Sequence, residues 1–248
     1  MKTAWFIALS AFALPTGMQC TGGDRPTGGE ARAPEAVVAQ DTPADECDMK
    51  LEDCDCNCAD KDRGAASDRI DAKDFEAIAA SDAPSFGPEY APVTIVLFTD
   101  YQCPYCARLS GTLSKLRDEY GSRLRVVVRN LPLPMHDNAR TAARAALAAA
   151  EQVQFEAFEK SLYANQLELD SVSLESLAGR AGLNETSFQR AMVSGSLDEH
   201  IEHDLALAER VGATGTPTLF INGTRMVGSR PMEKYRALID AELVRLGR

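Results

Sequence analysis

The hydrophobic pattern from residue 93 onwards predicts strands that alternate with helices. The runs Val93–Phe98 and Leu124–Val128 are short, apolar and rich in β-branched residues, which is typical of buried strands. Between them, residues 103–120 carry leucines and a tyrosine at helical spacing, and Gly121 ends this predicted helix. A shorter helix is predicted within residues 67–83, ahead of the first strand.

The last third of the chain predicts a hairpin followed by a helix. Thr218–Ile221 and Thr224–Val227 are strand-like and flank the pair Asn222-Gly223, which suits a type I′ turn. Pro231 is placed to open a final helix that extends to about residue 246, since proline favours the first helical position.

The region between the second strand and the hairpin is predicted to be helical. Residues 137–165 are rich in alanine and predict a long helix, and Asn184 can cap another. Ser196 and Glu199 form a capping-box pattern ahead of apolar residues at helical spacing. The order of elements therefore predicts an α/β protein with a helical subdomain inserted at about residues 136–211.

The composition of the N-terminal quarter differs from that of the rest. Residues 30–62 contain eleven Asp and Glu against three Lys and Arg, and no aromatic residue occurs between Ala13 and Asp74. A segment this acidic cannot bury enough apolar surface to fold alone, so we expect residues 21–66 to form a disordered linker and residues 67–248 the folded domain. The net charge of −11 argues against binding to a nucleic-acid backbone.

The first twenty residues have the layout of a secretory signal peptide. One lysine precedes the apolar stretch 4–14, which is too short to span a bilayer. Cys20 stands where a bacterial lipoprotein carries its lipidated cysteine, although Gln19 and Gly17 fit a lipoprotein signal poorly. Lipid attachment at Cys20 and ordinary cleavage nearby both stay open, and both predict export to the cell envelope or periplasm, where cysteines can be oxidised.

Two cysteines three residues apart carry the candidate chemistry. Cys103-Pro104-Tyr105-Cys106 follows a predicted strand and opens a predicted helix. The free N–H groups and the dipole at a helix start stabilise a thiolate and lower its pKa. We expect Cys103 to be exposed and to attack a substrate, and Cys106 to be shielded and to resolve the mixed disulfide.

Other uses of this C-x-x-C pair are a static disulfide or half of a zinc site. Zinc would need a second pair of ligands, and the predicted folded domain has no other cysteine. The strand before the pair and the helix after it favour redox chemistry. No cofactor and no metal at this pair is expected.

Three motifs in this order resemble the DsbA-like thiol–disulfide oxidoreductases of the thioredoxin superfamily: VTIVLFTDYQCPYC, RNLPLPMHDNARTAARAALAA and GATGTPTLFINGTRMVG. The resemblance covers about residues 84–246 and implies a thioredoxin fold with an inserted helical domain. It implies that Cys103 is the nucleophile and Cys106 its resolving partner, and that the dipeptide Pro104-Tyr105 tunes the redox potential. It further implies that the proline of Thr216-Pro217 is cis and faces the sulfur, with the Thr216 backbone offered to a substrate strand.

The chain departs from that family at one position. Members often carry a buried acid six residues before the first cysteine, where this chain has Leu97. The nearest acid in sequence is Asp100, which we interpret as a charge beside a helix N-terminus. Proton transfer at Cys106 must then depend on water or on another group.

The remaining cysteines fall in the acidic segment. Cys47, Cys54, Cys56 and Cys58 lie within twelve residues, and their spacing matches no zinc motif. Two local disulfides, a soft metal ion such as Cu(I) or Zn(II), and a thiol relay to Cys103 all remain open.

Three histidines complete the list of candidate groups. His200 and His203 are interpreted as part of a solvated helix face rather than as metal ligands. His136 precedes the long helix, and we expect a structural role for it.

The sequence thus favours an exported protein thiol–disulfide oxidoreductase, most readily a dithiol oxidase. Its expected partners are protein thiols or disulfides and a membrane redox protein, with no nucleic acid. Membrane contact is expected only in the alternative in which Cys20 is lipidated. A reductase or isomerase with the same site is the alternative, and a metal-binding protein that uses the cysteine cluster Cys47–Cys58 is another. A purely structural module is disfavoured by the C-x-x-C pair and the Thr-Pro segment.

Overall fold

A computed structural model describes residues 68–248 of the chain. The predicted signal peptide, Cys20, the acidic linker and the cluster of Cys47, Cys54, Cys56 and Cys58 lie outside the described residues. Within residues 68–248, no helix combines the length and the apolar character that a bilayer crossing requires.

The described residues contain one mixed sheet of five strands. The strands are β1 (Ser85–Phe86), β2 (Val93–Thr99), β3 (Leu124–Asn130), β4 (Thr218–Ile221) and β5 (Thr224–Val227). Their order across the sheet is β1-β3-β2-β4-β5. Only β2 and β3 pair in parallel, and every other neighbouring pair is antiparallel.

Eight α-helices surround the sheet within the same residues. They are α1 (Ala72–Ile78), α2 (Pro104–Tyr120), α3 (Ala139–Ala150), α4 (Phe155–Ala164), α5 (Ser171–Arg180), α6 (Glu185–Met192), α7 (Gly195–Arg210) and α8 (Met232–Arg245). Helices α3 to α7 all lie between β3 and β4, so the predicted α/β fold with an inserted helical subdomain is confirmed.

The alternation of side chains along β2 divides the core into two layers. Ile95 and Leu97 face the larger layer, which α2, α8 and most of the inserted helices complete. Val96 and Phe98 face the smaller layer, which α1 and the C-terminal half of α7 complete. Both faces of β2 are therefore buried, which explains why its sequence is a continuous apolar run.

The helical block differs from the prediction at three points. The long helix predicted over residues 137–165 is two helices, because the chain turns between α3 and α4 with Val153 at φ 59°. The capping box of Ser196 and Glu199 is wrong: Ser194 is the N-cap, and its hydroxyl accepts a hydrogen bond from the Ser196 backbone N–H. Helix α5 is the third difference, because the hydrophobic pattern of the sequence does not predict a separate helix there.

Other local predictions are confirmed. Asn184 caps α6, with its side chain accepting a bond from the Ser187 backbone N–H at 2.9 Å. The hairpin turn has Asn222 at φ 44° and Gly223 at φ 97°, the positive values that a type I′ turn requires. Strand β1 was missed, since two residues are too short for a periodic pattern.

Candidate active site

The two cysteines lie where β2 passes into α2. Cys103 is the N-cap of α2 and Pro104 its first residue, where the missing N–H costs nothing. The backbone N–H groups of Cys106 and Ala107 donate to the Cys103 carbonyl at 3.0 and 3.3 Å. This places Cys106 one turn into the helix, on the side that faces the core, with both cysteines present as free thiols.

The prediction that Cys103 is exposed is wrong. Cys103 is 4% exposed and Cys106 is 1% exposed. The segment before β4 covers the pair, and the Cys103 thiol donates to the Thr216 carbonyl over 3.5 Å. The Thr216–Pro217 peptide bond is cis. The two segments that resembled family motifs are therefore in contact at the sulfur of Cys103.

The surroundings of the two thiols move their pKa values in opposite directions. A hydrogen bond from Cys106, helped by the Thr216 hydroxyl and by backbone N–H groups at the start of α2, lowers the pKa of Cys103 to about 5 against burial. Burial, and then donation to Cys103, raise the pKa of Cys106. At neutral pH, Cys103 is therefore a thiolate and Cys106 a thiol.

The lowered pKa of Cys103 predicts how fast it is alkylated at each pH. We expect the iodoacetamide rate of reduced Cys103 to be flat between about pH 6.5 and 8.5, since the thiolate is then fully formed, and to halve at about pH 5. Mass spectrometry of the peptide that holds Cys103 and Cys106 measures this rate. Thr216→Val removes the stabilising hydroxyl and should move the midpoint to higher pH. A rate that keeps rising through pH 9 would contradict the assignment.

Asp100 organises the loops beside the cysteines. Its carboxylate accepts hydrogen bonds from the backbone N–H groups of Gln102 and Leu133, at 2.7 and 2.8 Å, and contacts the His136 ring at 2.7 Å. Asp100 is fully buried, so its interpretation as a charge beside a helix start is incomplete. His136 has the structural role that we expected, because it holds the loop after β3 against the loop after β2.

Gln166 is a site residue that the sequence did not reveal. Its side-chain amide donates to the carbonyl oxygens of Tyr101 and Cys103, at 2.6 and 2.9 Å. The inserted helices thereby hold the turn that carries the nucleophile. No local signal could have identified this contact, because it joins positions more than sixty residues apart.

His200 and His203 each lie beside a carboxylate. The His200 ring is 3.8 Å from the Asp204 carboxylate, and the His203 ring is 3.4 Å from Asp82. No cluster of three or more histidine, cysteine, aspartate or glutamate side chains suited to a metal occurs among residues 68–248. His203 is exposed as expected, whereas His200 is partly buried.

Comparison with known proteins places this site in a family. A family model described as thioredoxin matches residues 79–241. A thioredoxin-like oxidoreductase from Silicibacter pomeroyi DSS-3 is 30% identical, with a TM-score of 0.62 over 67% of this chain and 95% of that chain. A periplasmic thioredoxin-like protein from Salmonella enterica serovar Typhimurium is 27% identical, with a TM-score of 0.63 over 71% of this chain and 99% of that chain.

A curated relative is much longer than the matched region. The Na(+)/H(+) antiporter NhaA of Herminiimonas arsenicoxydans is 37% identical over 155 residues, which are 62% of this chain and 25% of that protein. The chain thus spans about a quarter of the length of the curated relatives that it matches.

Proposed function

The chain belongs to the thioredoxin family, and from this membership we propose that it is a DsbA-like thiol–disulfide oxidoreductase that oxidises protein dithiols. In the proposed reaction, a substrate thiolate attacks the sulfur of Cys103 in the Cys103–Cys106 disulfide, and Cys106 leaves. A second substrate thiolate then attacks the mixed disulfide. The substrate departs with a disulfide, and Cys103 departs as a thiolate.

The observation that carries this proposal is the position of Cys103 at the start of α2, one turn from Cys106 and in contact with the Thr216 carbonyl. The opposite shifts of the two thiol pKa values agree with it. A thiol with a pKa of about 5 is a good leaving group, so the second step is fast. The Cys103 thiolate exists only in the reduced protein, so its stabilisation favours that form. This stabilisation is complete above pH 9.0, the ordinary pKa of a cysteine thiol, and it is lost as the pH falls through about 5. At neutral pH this favours the reduced form, which makes the disulfide form an oxidant.

The surface around the cysteines supports protein substrates. Tyr105, Met135 and Leu167 are exposed apolar side chains on three segments that border the site. Leu167 directly follows Gln166, which binds the Cys103 carbonyl. Exposed apolar side chains next to residues of the site are suited to contact with unfolded polypeptide. The Thr216 backbone would add hydrogen bonds that do not depend on the substrate sequence.

Location and partners follow from the sequence outside the described residues. We propose export through the leader of residues 1–20, with Cys20 either lipidated or lost by cleavage. A periplasmic location agrees with the Salmonella protein named above. A dithiol oxidase must be reoxidised, so a membrane redox protein is the proposed electron acceptor.

The reduction potential of the pair tests the direction of the reaction. We expect a value near −120 mV, the strongly oxidising end of the known range, when the full chain is equilibrated with glutathione buffers. The oxidation state of Cys103 and Cys106 is read from their peptide by differential alkylation and mass spectrometry. A reduction potential near −270 mV, typical of thioredoxin, would instead indicate that the protein is a reductase or an isomerase.

A further inference from the structure

Residues 68–70 pair with the outer edge of β5, the last strand of the sheet. The Ile70 backbone N–H donates to the Gly223 carbonyl at 3.0 Å, and the Arg225 backbone N–H donates to the Asp68 carbonyl at 2.9 Å. The bridge between the two segments is antiparallel. Hydrogen bonds therefore fix the place and the direction in which the preceding chain joins the described fold.

The side chain of Arg69 ties this segment to the hairpin and to α8. Its guanidinium donates to the Asn222 carbonyl at 2.7 Å and pairs with the Glu242 carboxylate at 2.8 Å. Glu242 is itself buried, so this pair is anchored in the body of the fold. The position of Asp68 relative to the sheet is therefore defined by side-chain contacts as well as by backbone pairing.

The antiparallel pairing directs the preceding chain towards the active-site end of the sheet. Because β5 ends at Val227, the residues before Asp68 leave the fold in the direction of Val227. Val227 pairs with Thr218 of β4, two positions after Thr216. The Thr216 carbonyl accepts the hydrogen bond from the Cys103 thiol. The chain thus enters the fold on the side of the molecule that carries the reactive sulfur.

The distance between this entry point and the reactive sulfur is short. Asp68 lies level with Val96 of β2, three strands away, because Arg225 pairs with Phe220 and Phe220 pairs with Val96. With about 4.8 Å between strands and about 3.3 Å per residue along them, Asp68 lies roughly 20 Å from the turn that carries Cys103.

Two cysteines precede the entry point within reach of this turn. Cys58 and Cys56 stand ten and twelve residues before Asp68, outside the described part of the chain. A polypeptide spans at most about 3.3–3.6 Å per residue, so even the shorter of these two connections reaches about 33–36 Å. Residues two positions apart have Cα atoms within about 7 Å of each other, which is compatible with a disulfide between them.

The burial of Cys103 favours a carrier of this kind. Cys103 is 4% exposed beneath the Thr216 segment. A folded redox partner must therefore either rearrange around this sulfur or act through a thiol that is brought to it on a chain. The cysteines before residue 68 supply such thiols from within the same molecule.

We propose that Cys56 and Cys58 form a second redox pair, which exchanges disulfides with Cys103. The inference rests on the proposed function, because Cys103 must react by disulfide exchange. It deepens that function by giving the path of reoxidation. The membrane redox protein, or another oxidant of its class, oxidises Cys56 and Cys58 to a disulfide, and this disulfide then recharges the active site.

The recharging reaction consists of two exchanges that balance in electrons and protons. The Cys103 thiolate attacks the sulfur of Cys58, a Cys103–Cys58 bond forms, and Cys56 leaves as a thiolate that takes a proton from water. Cys106 then gives its proton to water and attacks Cys103, and Cys58 leaves as a thiolate. Two electrons pass from the active-site thiols to the second pair, and the reverse sequence returns them.

The connection through the chain makes the exchange faster than the same reaction between molecules. Short connections give effective concentrations in the millimolar range, which at about 1 μM protein corresponds to a rate about 10³-fold above that between chains. The intramolecular exchange is also independent of protein concentration. Local disulfides confined to the cysteines before residue 68, the alternative use of these residues, would leave Cys103 unlinked.

The test traps the mixed disulfide in a full chain in which neither pair can resolve it. The variant retains Cys58 and Cys103 and carries serine at Cys47, Cys54, Cys56 and Cys106. The reduced protein, at about 1 μM, is treated with glutathione disulfide at pH 7, quenched with N-ethylmaleimide and digested with trypsin. We expect mass spectrometry to find residues 51–61 joined to residues 74–108 by the Cys58–Cys103 bond, in a monomer and at a rate that dilution does not change.

Two changes of the connecting chain provide the matched controls. Deletion of residues 59–66 in this variant leaves Cys58 two residues from Asp68, a reach of about 7 Å, so the rate of linkage should fall about 10³-fold. Replacement of the same eight residues by a Gly-Ser sequence of equal length should restore the linkage, because the reach and not the sequence is what the exchange requires.

Each result decides between distinct failures. If the Cys58–Cys103 bond is absent, or appears only as a dimer whose rate rises with protein concentration, the second redox pair is wrong. If the deletion leaves the rate unchanged, the path along the chain from Asp68 is wrong. The oxidase function stands in both cases, provided that the wild type still oxidises reduced ribonuclease. If glutathione disulfide does not react with Cys103 at all, the proposed function fails, and the second pair fails with it.

Discussion

Cys103→Ser is expected to reduce the oxidation of a reduced, unfolded protein to the uncatalysed background. The loss should be roughly 10³-fold or more, because a serine oxygen forms no disulfide and offers a substrate thiolate nothing to attack. The measurement is the return of activity of reduced ribonuclease in the presence of catalytic amounts of the full chain. Cys106, the other thiol within residues 68–248, is 1% exposed and its pKa is raised by burial, so it cannot replace Cys103.

Cys106→Ser should behave differently, which provides the control. Cys103 loses the hydrogen bond from Cys106 but keeps the backbone N–H groups at the start of α2, so it still attacks disulfides as a nucleophile. Without a resolving thiol, we expect the covalent complex with the substrate to accumulate and to be visible on a non-reducing gel. Ribonuclease oxidation that survives in Cys103→Ser would contradict the assignment and would place the activity on the cysteines before residue 68.

Asp204→Ala is expected to cause the largest loss of stability among single substitutions in the described fold. The Asp204 carboxylate on α7 bonds the Arg129 guanidinium at 3.0 Å. It also accepts bonds from the backbone and side-chain amides of Asn130, at 2.8 and 3.0 Å. Asp204 and Arg129 are both fully buried. Removal of Asp204 leaves the buried Asn130 amides without their acceptor and leaves the Arg129 charge to Asp82, at 2.6 Å, and to backbone carbonyls. We therefore expect a loss of about 3 kcal/mol in the free energy of unfolding, the lower end of the range for a broken buried ion pair.

Urea unfolding measures this loss, and two further variants serve as a milder change at the same position and as a surface control. Asp204→Asn keeps one oxygen for the Asn130 amides and should lose less. Glu119→Ala removes an exposed pair with Arg236 and should leave the unfolding midpoint nearly unchanged, since surface ion pairs contribute little. If Asp204→Ala unfolds at the same urea concentration as Glu119→Ala, Asp204 does not anchor α7 to β3 in the way the contacts indicate.

The inserted helices contact both the sheet and the turn that carries Cys103. The Asp204 contacts hold α7, the last inserted helix, against β3. The contacts of Gln166 hold the inserted block against the turn that carries Cys103. The inserted helices therefore contribute to the active site as well as to the core, which a description of the cysteine pair alone would not show.

The sequence by itself determined the features that depend on neighbouring positions. A buried strand, a C-x-x-C pair and a helix start follow one another within fourteen residues, so the location of the reactive pair could be predicted from spacing alone. The Asn222-Gly223 turn could be predicted for the same reason, because its backbone angles depend on the two residues that adopt them. Composition likewise sets the acidic N-terminal segment apart from the rest of the chain, and its role as a disordered linker stays a prediction.

Only the tertiary structure decided the surroundings of the two sulfurs. The burial of Cys103, the contact with Thr216 and the amide of Gln166 all join segments more than sixty positions apart. A pKa depends on the charges, donors and solvent around a group in space, and the order of residues along the chain does not contain those distances until the chain is folded.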